Sequence, residues 1–320
     1  MQQKTMAVIG TGVIGNGWIA RFLAGGHKVI AFDMDPNAEQ KTSAFLENIW
    51  ATLESYGMDE NGSLENLHFT QDLKTAVEQA DLIQENVPER EDVKKSVLKD
   101  VDAYAREGAI IASSTSGYMP SVLQEACDHH PERLIIAHPF NPVYLVPLVE
   151  LAGGKQTDRS VLAEAKELYA SLNMKPLVMS GEIDGHIGDR LMEAIWREGL
   201  HIVNDGVATT EEVDAAIVYG PGLRWALMGP FMTLHLAGGE KGMEHMLEQF
   251  GPALKLPWTK LVAPELTEEL SQKLINGTNE QCGDTPIADL EARRDRFLIK
   301  LMALLEEEGF WPAEKLVRNG

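Results

Sequence analysis

The stretch that decides the fold is Lys4-Thr5-Met6-Ala7-Val8-Ile9-Gly10-Thr11-Gly12-Val13-Ile14-Gly15, near the start of the chain. A short apolar strand runs directly into Gly-x-Gly-x-x-Gly, and an amphipathic segment from Asn16 to Ala24 follows. A second apolar run, Lys28 to Phe32, ends in Asp33, 18 residues after the last glycine. In this context the glycine pattern predicts a dinucleotide-binding turn between a strand and a helix.

Each part of this pattern has a physical role. Gly10 permits the tight turn, Gly12 lets the backbone approach a pyrophosphate, and Gly15 allows close packing of helix on strand. The phosphates would lie at the helix N-terminus, where free N–H groups favour negative charge. Asp33 would accept hydrogen bonds from ribose hydroxyls and repel a 2′-phosphate, and residues 34–37 contain no arginine. We therefore predict NAD rather than NADP as the cofactor, with a purely structural turn as the alternative.

The composition is that of an ordinary globular protein, with 44% hydrophobic and 24% charged residues over 320 positions. A chain of this length exceeds what one hydrophobic core usually holds, so we expect two domains. We find no run of about 20 apolar residues and no basic segment followed by an apolar one at the start. We therefore expect neither a membrane span nor a signal peptide.

The net charge and the cysteine content indicate which binding partners and which cellular compartment to expect. The formal net charge of -21 argues against nucleic-acid binding, because phosphates would be repelled. The two cysteines, Cys127 and Cys282, are far apart and lack the spacing of metal ligands. They indicate a reducing, cytoplasmic setting without disulfide bonds.

Apolar runs and helical patterns alternate over the first half of the chain. The predicted strands are Met6–Ile9, Val29–Asp33, Leu82–Asn86, Ala109–Ser113, Leu134–Ala137, Leu148–Leu151 and Leu177–Met179. Helical patterns lie between them at about 37–55, 90–106, 119–128 and 158–172. This alternation predicts an α/β fold, a Rossmann-type doubly wound parallel sheet with helices on both faces. Residues 56–67 are expected to form a polar connection back to the sheet.

The strand pattern disappears beyond about residue 182, which predicts an all-helical second domain. Helical periodicity covers residues 188–204, 210–218, 226–236, 241–250, 266–275 and 286–308. The predicted domains are 1–182, which would bind the dinucleotide and carry the chemistry, and 183–320, which would be helical. A domain of the second kind commonly closes a cleft or carries a dimer interface. The last dozen residues are expected to form a tail.

A histidine follows the apolar run Leu134–Ile136, in the segment Ala137-His138-Pro139-Phe140-Asn141-Pro142. His138 would therefore lie at the carboxyl end of a strand, where open α/β sheets bind their ligands. Glu150 lies in the apolar run Val149-Glu150-Leu151, and a buried acid needs a partner. Bonded to one ring nitrogen of His138, it would fix the tautomer, so that the other nitrogen can take a proton from a substrate hydroxyl.

Less specific interpretations stay open for these side chains. Glu150 could instead pair with a lysine for a structural purpose, and most of the nine histidines are expected to be ordinary surface or core residues. The stretch Ala112-Ser113-Ser114-Thr115-Ser116-Gly117 ends another strand with hydroxyl groups that suit the reacting oxygen. No role is assigned to the remaining histidines, His27, His68, His129, His130, His186, His201, His235 and His245.

The order of these motifs resembles the 3-hydroxyacyl-CoA dehydrogenase family over nearly the whole chain. The matching motifs are the glycine-rich turn, Ser-Ser-Thr-Ser, Ala-His-Pro-Phe-Asn-Pro, Val-Glu and Asp-Gly-x-x-x-Asp-Arg-Leu. The resemblance implies an N-terminal NAD domain and a helical C-terminal domain that dimerises. It also implies catalysis by His138 and Glu150, with Ser116 contacting the substrate hydroxyl. Nicotinamide-side contacts would come from Ser116 and Asn141, and adenosine-side contacts from Asp33, Asn86, Glu89 and Lys94.

One position departs from the family pattern. Members that act on CoA esters carry asparagine in Gly-Phe-Ile-x-Asn-Arg, whereas this chain has Gly185-His186-Ile187-Gly188-Asp189-Arg190. An acid at position 189, near the expected catalytic pair, argues against straightforward acyl-CoA chemistry.

Residues of the helical half suggest a different substrate. Arg224, in Gly220-Pro221-Gly222-Leu223-Arg224-Trp225, could hold a free carboxylate with two parallel hydrogen bonds. Aromatic rings bind quaternary ammonium groups, and the charge of Asp189 would favour a cation. We predict a small 3-hydroxy acid with a carboxylate and a quaternary ammonium group, and the predicted contacts are Ser116, Asp189, Arg224, Trp196, Trp225 and Phe231. The alternatives are core packing for the aromatic residues, Tyr219 and Trp258 included, and a structural ion pair for Arg224.

Three stretches, 190–198, 222–225 and 249–261, resemble one branch of the family that acts on a hydroxy acid of this kind. Two other enzymatic functions stay open, a dehydrogenase of L-gulonate and a short-chain 3-hydroxyacyl-CoA dehydrogenase. A non-catalytic protein on the same fold, as in lens crystallins, is the alternative from another class, and a module that only senses NAD is less favoured.

Overall fold

The computed structural model describes residues 2–226, 229–238, 242–252, 256–261, 265, 267–272 and 284–308. The chain divides into two compact units, Met1–Arg190 and Leu191–Gly320. The domain boundary near residue 182 stays a prediction. None of the helices in the described ranges has the length and apolar character that a bilayer span requires.

The first unit is built on one eight-stranded sheet with the strand order β3-β2-β1-β4-β5-β6-β7-β8. Its strands are β1 Thr5–Ile9, β2 Lys28–Phe32, β3 Leu67–Thr70, β4 Leu82–Glu85, β5 Ile110–Ser113, β6 Leu134–Pro139, β7 Leu148–Gly153 and β8 Lys175–Val178. Its helices are α1 Val13–Ala24, α2 Ala38–Tyr56, α3 Leu73–Val77, α4 Glu91–Tyr104, α5 Pro120–Gln124 and α6 Arg159–Ser171. The predicted doubly wound α/β fold is confirmed.

The central strands are buried on both faces because helices cover the sheet on each side. Ala7 and Ile9 of β1 belong to an apolar cluster that includes residues of α3, α4 and α5. Met6 and Val8, which alternate with them, point to the opposite face and are also fully buried. Trp18 of α1 lies near the Tyr169 ring of α6, 5.3 Å between centroids.

The expectation of an entirely parallel sheet is wrong for one strand pair. All neighbouring strands run parallel except β6 and β7, which are antiparallel. Only residues 140–147 separate these two strands. A parallel crossover needs about a dozen residues or more, so this short connection forces the chain to turn back.

Two short elements lie where no regular structure was predicted. The edge strand β3 follows the segment expected to be a connection, and α3 comes directly after it. Both are only four or five residues long. Elements of that length hold too few apolar residues to show a periodic pattern.

The described part of the second unit is helical, as predicted. The helix α7, Gly188–Asn204, begins in the first unit, and the others are α8 Thr210–Val218, α9 Pro221–Trp225, α10 Pro230–Ala237, α11 Met243–Phe250 and α12 Ile287–Glu307. The helix predicted at 226–236 overlaps α10, whereas the short helix α9 lies before that range and was not predicted. Within the helix predicted at 266–275, residues 268–272 are helical. The remainder of that helix beyond 272, residues 253–255, Cys282 and the predicted tail at 309–320 lie outside the described residues.

Candidate active site

In the glycine-rich turn between β1 and α1, two glycines have no room for a side chain and the third has free space. Gly10 has a φ of +86°, and a Cβ there would lie 2.8 Å from the carbonyl oxygen of Asn86. A Cβ on Gly15 would lie 1.9 Å from the carbonyl oxygen of Gly10. A Cβ on Gly12 would meet no atom of the described residues within 4 Å. The turn therefore leaves open space at Gly12, the position at which a pyrophosphate would approach the backbone.

The first turn of α1 and the end of β2 complete a site that fits a dinucleotide. Within the described part of the chain no side chain caps α1, and the first turn of this helix contains no acid, so its N–H groups are available to an anion. Asp33 Oδ2 accepts hydrogen bonds from the amide (2.7 Å) and hydroxyl (2.8 Å) of Thr11. Burial by itself would raise the pKa of Asp33, but bonds from the amides of Asp35 and Thr11 outweigh it and lower the pKa. The carboxylate is thus anionic and held beside the turn, as ribose recognition requires.

The other three residues predicted on the adenosine side follow β4, and each side chain is held by hydrogen bonds or ion pairs. Asn86 Oδ1 accepts from the Ser114 hydroxyl at 2.7 Å. Glu89 accepts from the amide of Gly117 at 2.9 Å and lies 3.2 Å from Lys94 Nζ. The buried Lys94 ammonium also contacts Glu85 Oε1 at 3.0 Å and the carbonyl oxygen of Val87 at 3.1 Å. These contacts hold the three side chains, and their contact with the cofactor stays a prediction.

The hairpin of β6 and β7 places His138 directly opposite Glu150 in the strand register. His138 Nδ1 lies 2.9 Å from Glu150 Oε2, and the Glu150 carboxylate is completely buried. Its other oxygen accepts hydrogen bonds from the amides of Ile187 and Gly188, both at 2.9 Å, at the start of α7. The partner of Glu150 is therefore the histidine and not a lysine.

The charge state of Glu150 decides the tautomer of His138. Burial by itself would raise the pKa of Glu150, but the hydrogen bonds from His138 and from the two backbone amides outweigh it. The pKa therefore lies below its ordinary value of 4.5, and the group is a carboxylate at neutral pH. A carboxylate only accepts, so Nδ1 of His138 donates to it, and in the neutral ring Nε2 is then the nitrogen with the lone pair. This arrangement is that of a general base held by an acid.

Two residues near the His138 ring come from the segment that precedes α7 and from its first turn. Asp189 Oδ2 lies 3.5 Å from His138 Nε2. The ring of His186 lies 5.1 Å from the ring of His138, centroid to centroid, and its Nε2 lies 3.0 Å from the carbonyl oxygen of Thr115. The buried His186 Nδ1 has no hydrogen-bond partner among the residues that the structure describes, and burial lowers the pKa of this imidazole. No role was predicted for His186, whose only signal was its place in the Asp-Gly-x-x-x-Asp-Arg-Leu motif.

Ser116 and Asn141 follow the neighbouring strands β5 and β6. The half-buried Ser116 is next to Thr115, which His186 contacts, and the exposed Asn141 lies just after β6. Since β5 and β6 run parallel, both residues and His138 belong to the carboxyl edge of the sheet. Their roles at the nicotinamide and at the substrate hydroxyl stay predictions.

The remaining predicted substrate residues lie on helices of the second unit. Arg224 and Trp225 are on α9, Trp196 is on α7 and Phe231 is on α10. The exposed fractions of Trp196 and Phe231 are 60% and 79%, so neither ring is part of a core. Arg224 is exposed and forms no ion pair with any residue in the described part of the chain. The roles of these four residues stay predictions.

Comparisons with known proteins agree with this geometry. The family model for the NAD-binding domain of 3-hydroxyacyl-CoA dehydrogenase matches residues 5–183, and that for its C-terminal domain matches residues 185–278. An L-carnitine dehydrogenase of Bacillus cereus is 61% identical over 98% of this chain and 95% of its own. A second of that name, from Oceanobacillus iheyensis, is 57% identical over 97% of this chain and all of its own.

A solved structure is similar over nearly the whole chain. It is the 5-dehydrogenase of 5-formyl-3-hydroxy-2-methylpyridine 4-carboxylic acid, described as an NAD+-dependent dismutase, with a TM-score of 0.80 and 27% identity. The match covers 95% of this chain and 99% of that one. The predicted cofactor, NAD, is confirmed by the matched NAD-binding domain. Because both of its domains match, this chain belongs to the 3-hydroxyacyl-CoA dehydrogenase family.

Proposed function

We propose that this protein oxidises the 3-hydroxyl group of L-carnitine, with NAD+ as the hydride acceptor, to give 3-dehydrocarnitine and NADH. One observation carries this proposal: Glu150 holds His138 in the orientation of a general base, in a chain that is 61% identical to an L-carnitine dehydrogenase over nearly its full length. L-Carnitine also has the three groups predicted from the residues, a carboxylate, a 3-hydroxyl and a trimethylammonium group.

The chemistry divides between the cofactor and the side chains. NAD+, bound at the glycine-rich turn, supplies the hydride acceptor. His138 Nε2 removes the hydroxyl proton as the hydride leaves the carbon. Glu150, 2.9 Å from Nδ1, stabilises the imidazolium that forms and holds the ring in one orientation. Ser116 is proposed to hold the reacting oxygen.

The residues proposed to bind the two charged ends of the substrate are chosen by the chemistry of their side chains. The Arg224 guanidinium would bind the carboxylate with two hydrogen bonds. Trp196, Trp225 and Phe231 would offer ring faces to the trimethylammonium group. Asp189, whose carboxylate is 22% exposed beside the reactive nitrogen, would add an attractive charge. The ammonium is bonded to the carbon next to the one that bears the hydroxyl, so a carboxylate near His138 Nε2 suits it.

A substrate panel tests this function. Purified protein with NAD+ is given L-carnitine, L-gulonate, 3-hydroxybutyryl-CoA and 3-hydroxybutyrate, and NADH formation is followed by absorbance. We expect the highest kcat/KM with L-carnitine, and 3-hydroxybutyrate, which lacks the ammonium group, is expected to lose about tenfold or more. Preference for L-gulonate or the CoA ester would reassign the substrate, and no turnover with any of them would favour a non-catalytic role.

We further infer that the protein acts in the cytoplasm as a homodimer formed by the helical domain. Cys127 is a free, buried thiol, which suits a reducing compartment. Large aromatic side chains of the helical unit are exposed, among them Tyr219 at 80% and Trp258 at 72%. Sedimentation of the purified protein would test the proposed dimer, and a monomer at micromolar concentration would contradict the dimer.

A further inference from the structure

A second carboxylate lies beside the reactive nitrogen of His138. Glu150 occupies Nδ1, and Asp189 Oδ2 lies 3.5 Å from Nε2. With Glu150 at Nδ1, Nε2 is the ring nitrogen that faces this oxygen, and in the neutral ring it is an acceptor. Two acceptors in that position attract each other only when a proton lies between them. A protonated Nε2 could therefore pass its proton to the carboxylate once the two atoms approach from 3.5 Å to hydrogen-bond distance.

The surroundings of the ring distinguish Asp189 from its other neighbours. The side chain of His138 is 7% exposed and that of Glu150 is completely buried, whereas that of Asp189 is 22% exposed. His186 adjoins the ring as well, but it is buried, and burial lowers its pKa, so it takes up a proton poorly. Of these three neighbours, Asp189 alone combines contact with Nε2 and contact with solvent.

We propose that Asp189 is the proton exit of the active site, which accepts from His138 the proton of the substrate hydroxyl and delivers it to water. The inference rests on the proposed function. The alcohol carbon loses a hydride to NAD+, and the hydroxyl proton goes to His138 Nε2, then to Asp189 Oδ2 and then to solvent. His138 ends neutral and Asp189 ends as a carboxylate, so the products are the ketone, NADH and one proton.

This role differs in its kinetics from attraction of the substrate cation. A carboxylate that only attracts the substrate changes KM and leaves the fate of the proton unchanged. A proton exit determines how soon the proton reaches the medium after hydride transfer. Proton release can be measured separately from NADH formation, because a pH indicator follows one and absorbance follows the other.

The test is a single turnover with L-carnitine and NAD+ in weak buffer with a pH indicator. In the wild-type protein we expect the proton and NADH to appear together. In Asp189→Asn the proton should lag behind NADH by about tenfold or more in rate, and added imidazole at the same pH should shorten the lag. Asp189→Glu, which keeps a carboxylate, should restore prompt release.

Controls separate the possible failures. Asparagine occurs at this position in the family motif, so Asp189→Asn is expected to fold, which circular dichroism checks. Asp184→Asn, at an exposed acid five residues earlier, should behave like the wild-type protein. Prompt proton release in Asp189→Asn, or a change in KM alone, would overturn the proton exit and leave the proposed function standing. Failure of the wild-type protein to form NADH from L-carnitine would overturn both.

Discussion

At the scale of single residues, the candidate site depends on the fully buried carboxylate of Glu150, whose charge is stabilised by hydrogen bonds. Glu150 receives three hydrogen bonds, one from His138 and two from backbone amides at the start of α7. An unpaired carboxylate in this position would cost several kcal/mol. The compensation therefore keeps the acid ionised, and the ionised acid in turn fixes the tautomer of the base.

Replacing the base should separate chemistry from cofactor binding. In His138→Gln the turnover number with L-carnitine should fall roughly 10²- to 10⁴-fold, because no group then takes the hydroxyl proton. NAD+ affinity, measured by titration of intrinsic fluorescence, should stay within about twofold, since the glycine-rich turn is unchanged.

The matched control is His130→Gln, at an exposed histidine that pairs with Glu132. It should keep both turnover and NAD+ affinity. Near-normal turnover in His138→Gln would contradict the assignment of the base.

At the scale of elements, the turn between β1 and α1 contains two glycines, Gly12 and Gly15, at which an added methyl group should have different effects. A methyl group on Gly15 would overlap the carbonyl oxygen of Gly10, so the helix could not pack against the strand. A methyl group on Gly12 would enter open space. The same substitution should therefore act on folding at one position and on cofactor binding at the other.

We expect Gly12→Ala to remain folded, with a loss of stability below about 1 kcal/mol from the change of the helix N-cap. Its affinity for NAD+ should fall about tenfold or more, because the methyl group fills the space of the pyrophosphate. Gly15→Ala should instead lower the melting temperature strongly or prevent soluble expression. Thermal unfolding and NAD+ titration of both variants measure this, and equal stability of the two proteins would contradict it.

At the scale of the whole molecule, buried neutral histidines make folding sensitive to mild acid. Burial lowers the pKa of His186 below its ordinary value of 6.5, and the unfolded chain therefore binds more protons than the native one as the pH falls below that value. The contribution of His186 to stability is fully present above about pH 6.5 and is lost as the pH falls through the folded-state pKa. His27 acts in the same direction for the same reason.

This effect can be isolated by urea unfolding at pH 7 and pH 5. The wild-type protein should lose more unfolding free energy between these two pH values than His186→Phe, because phenylalanine takes up no proton. The exposed His130→Gln variant should match the wild-type difference. An identical pH difference in His186→Phe would show that His186 is not buried in its neutral form.

Much of the fold and part of the site could be predicted because they depend on local patterns. The glycine spacing, the alternation of strand and helix, and the pairing of His138 with Glu150 all follow from residues whose chemistry is specific at short range. Asp189 was expected near this pair from its motif alone. The edge strand β3 carried no such signal, because a strand on the rim of a sheet is half solvated and needs no apolar run.

By itself, the sequence determined the α/β architecture, the NAD-binding turn and the types of residue that perform the chemistry, since hydrophobic periodicity and glycine conformation act over a few neighbouring residues. Only the tertiary structure decided that β7 runs antiparallel to β6, that two amides at the start of α7 bond to Glu150, and that His186 adjoins the imidazole. These placements depend on contacts between segments far apart in the chain, such as the amides of α7 on Glu150. A local sequence pattern does not predict which distant residues come into contact, because the packing of the whole sheet determines these contacts.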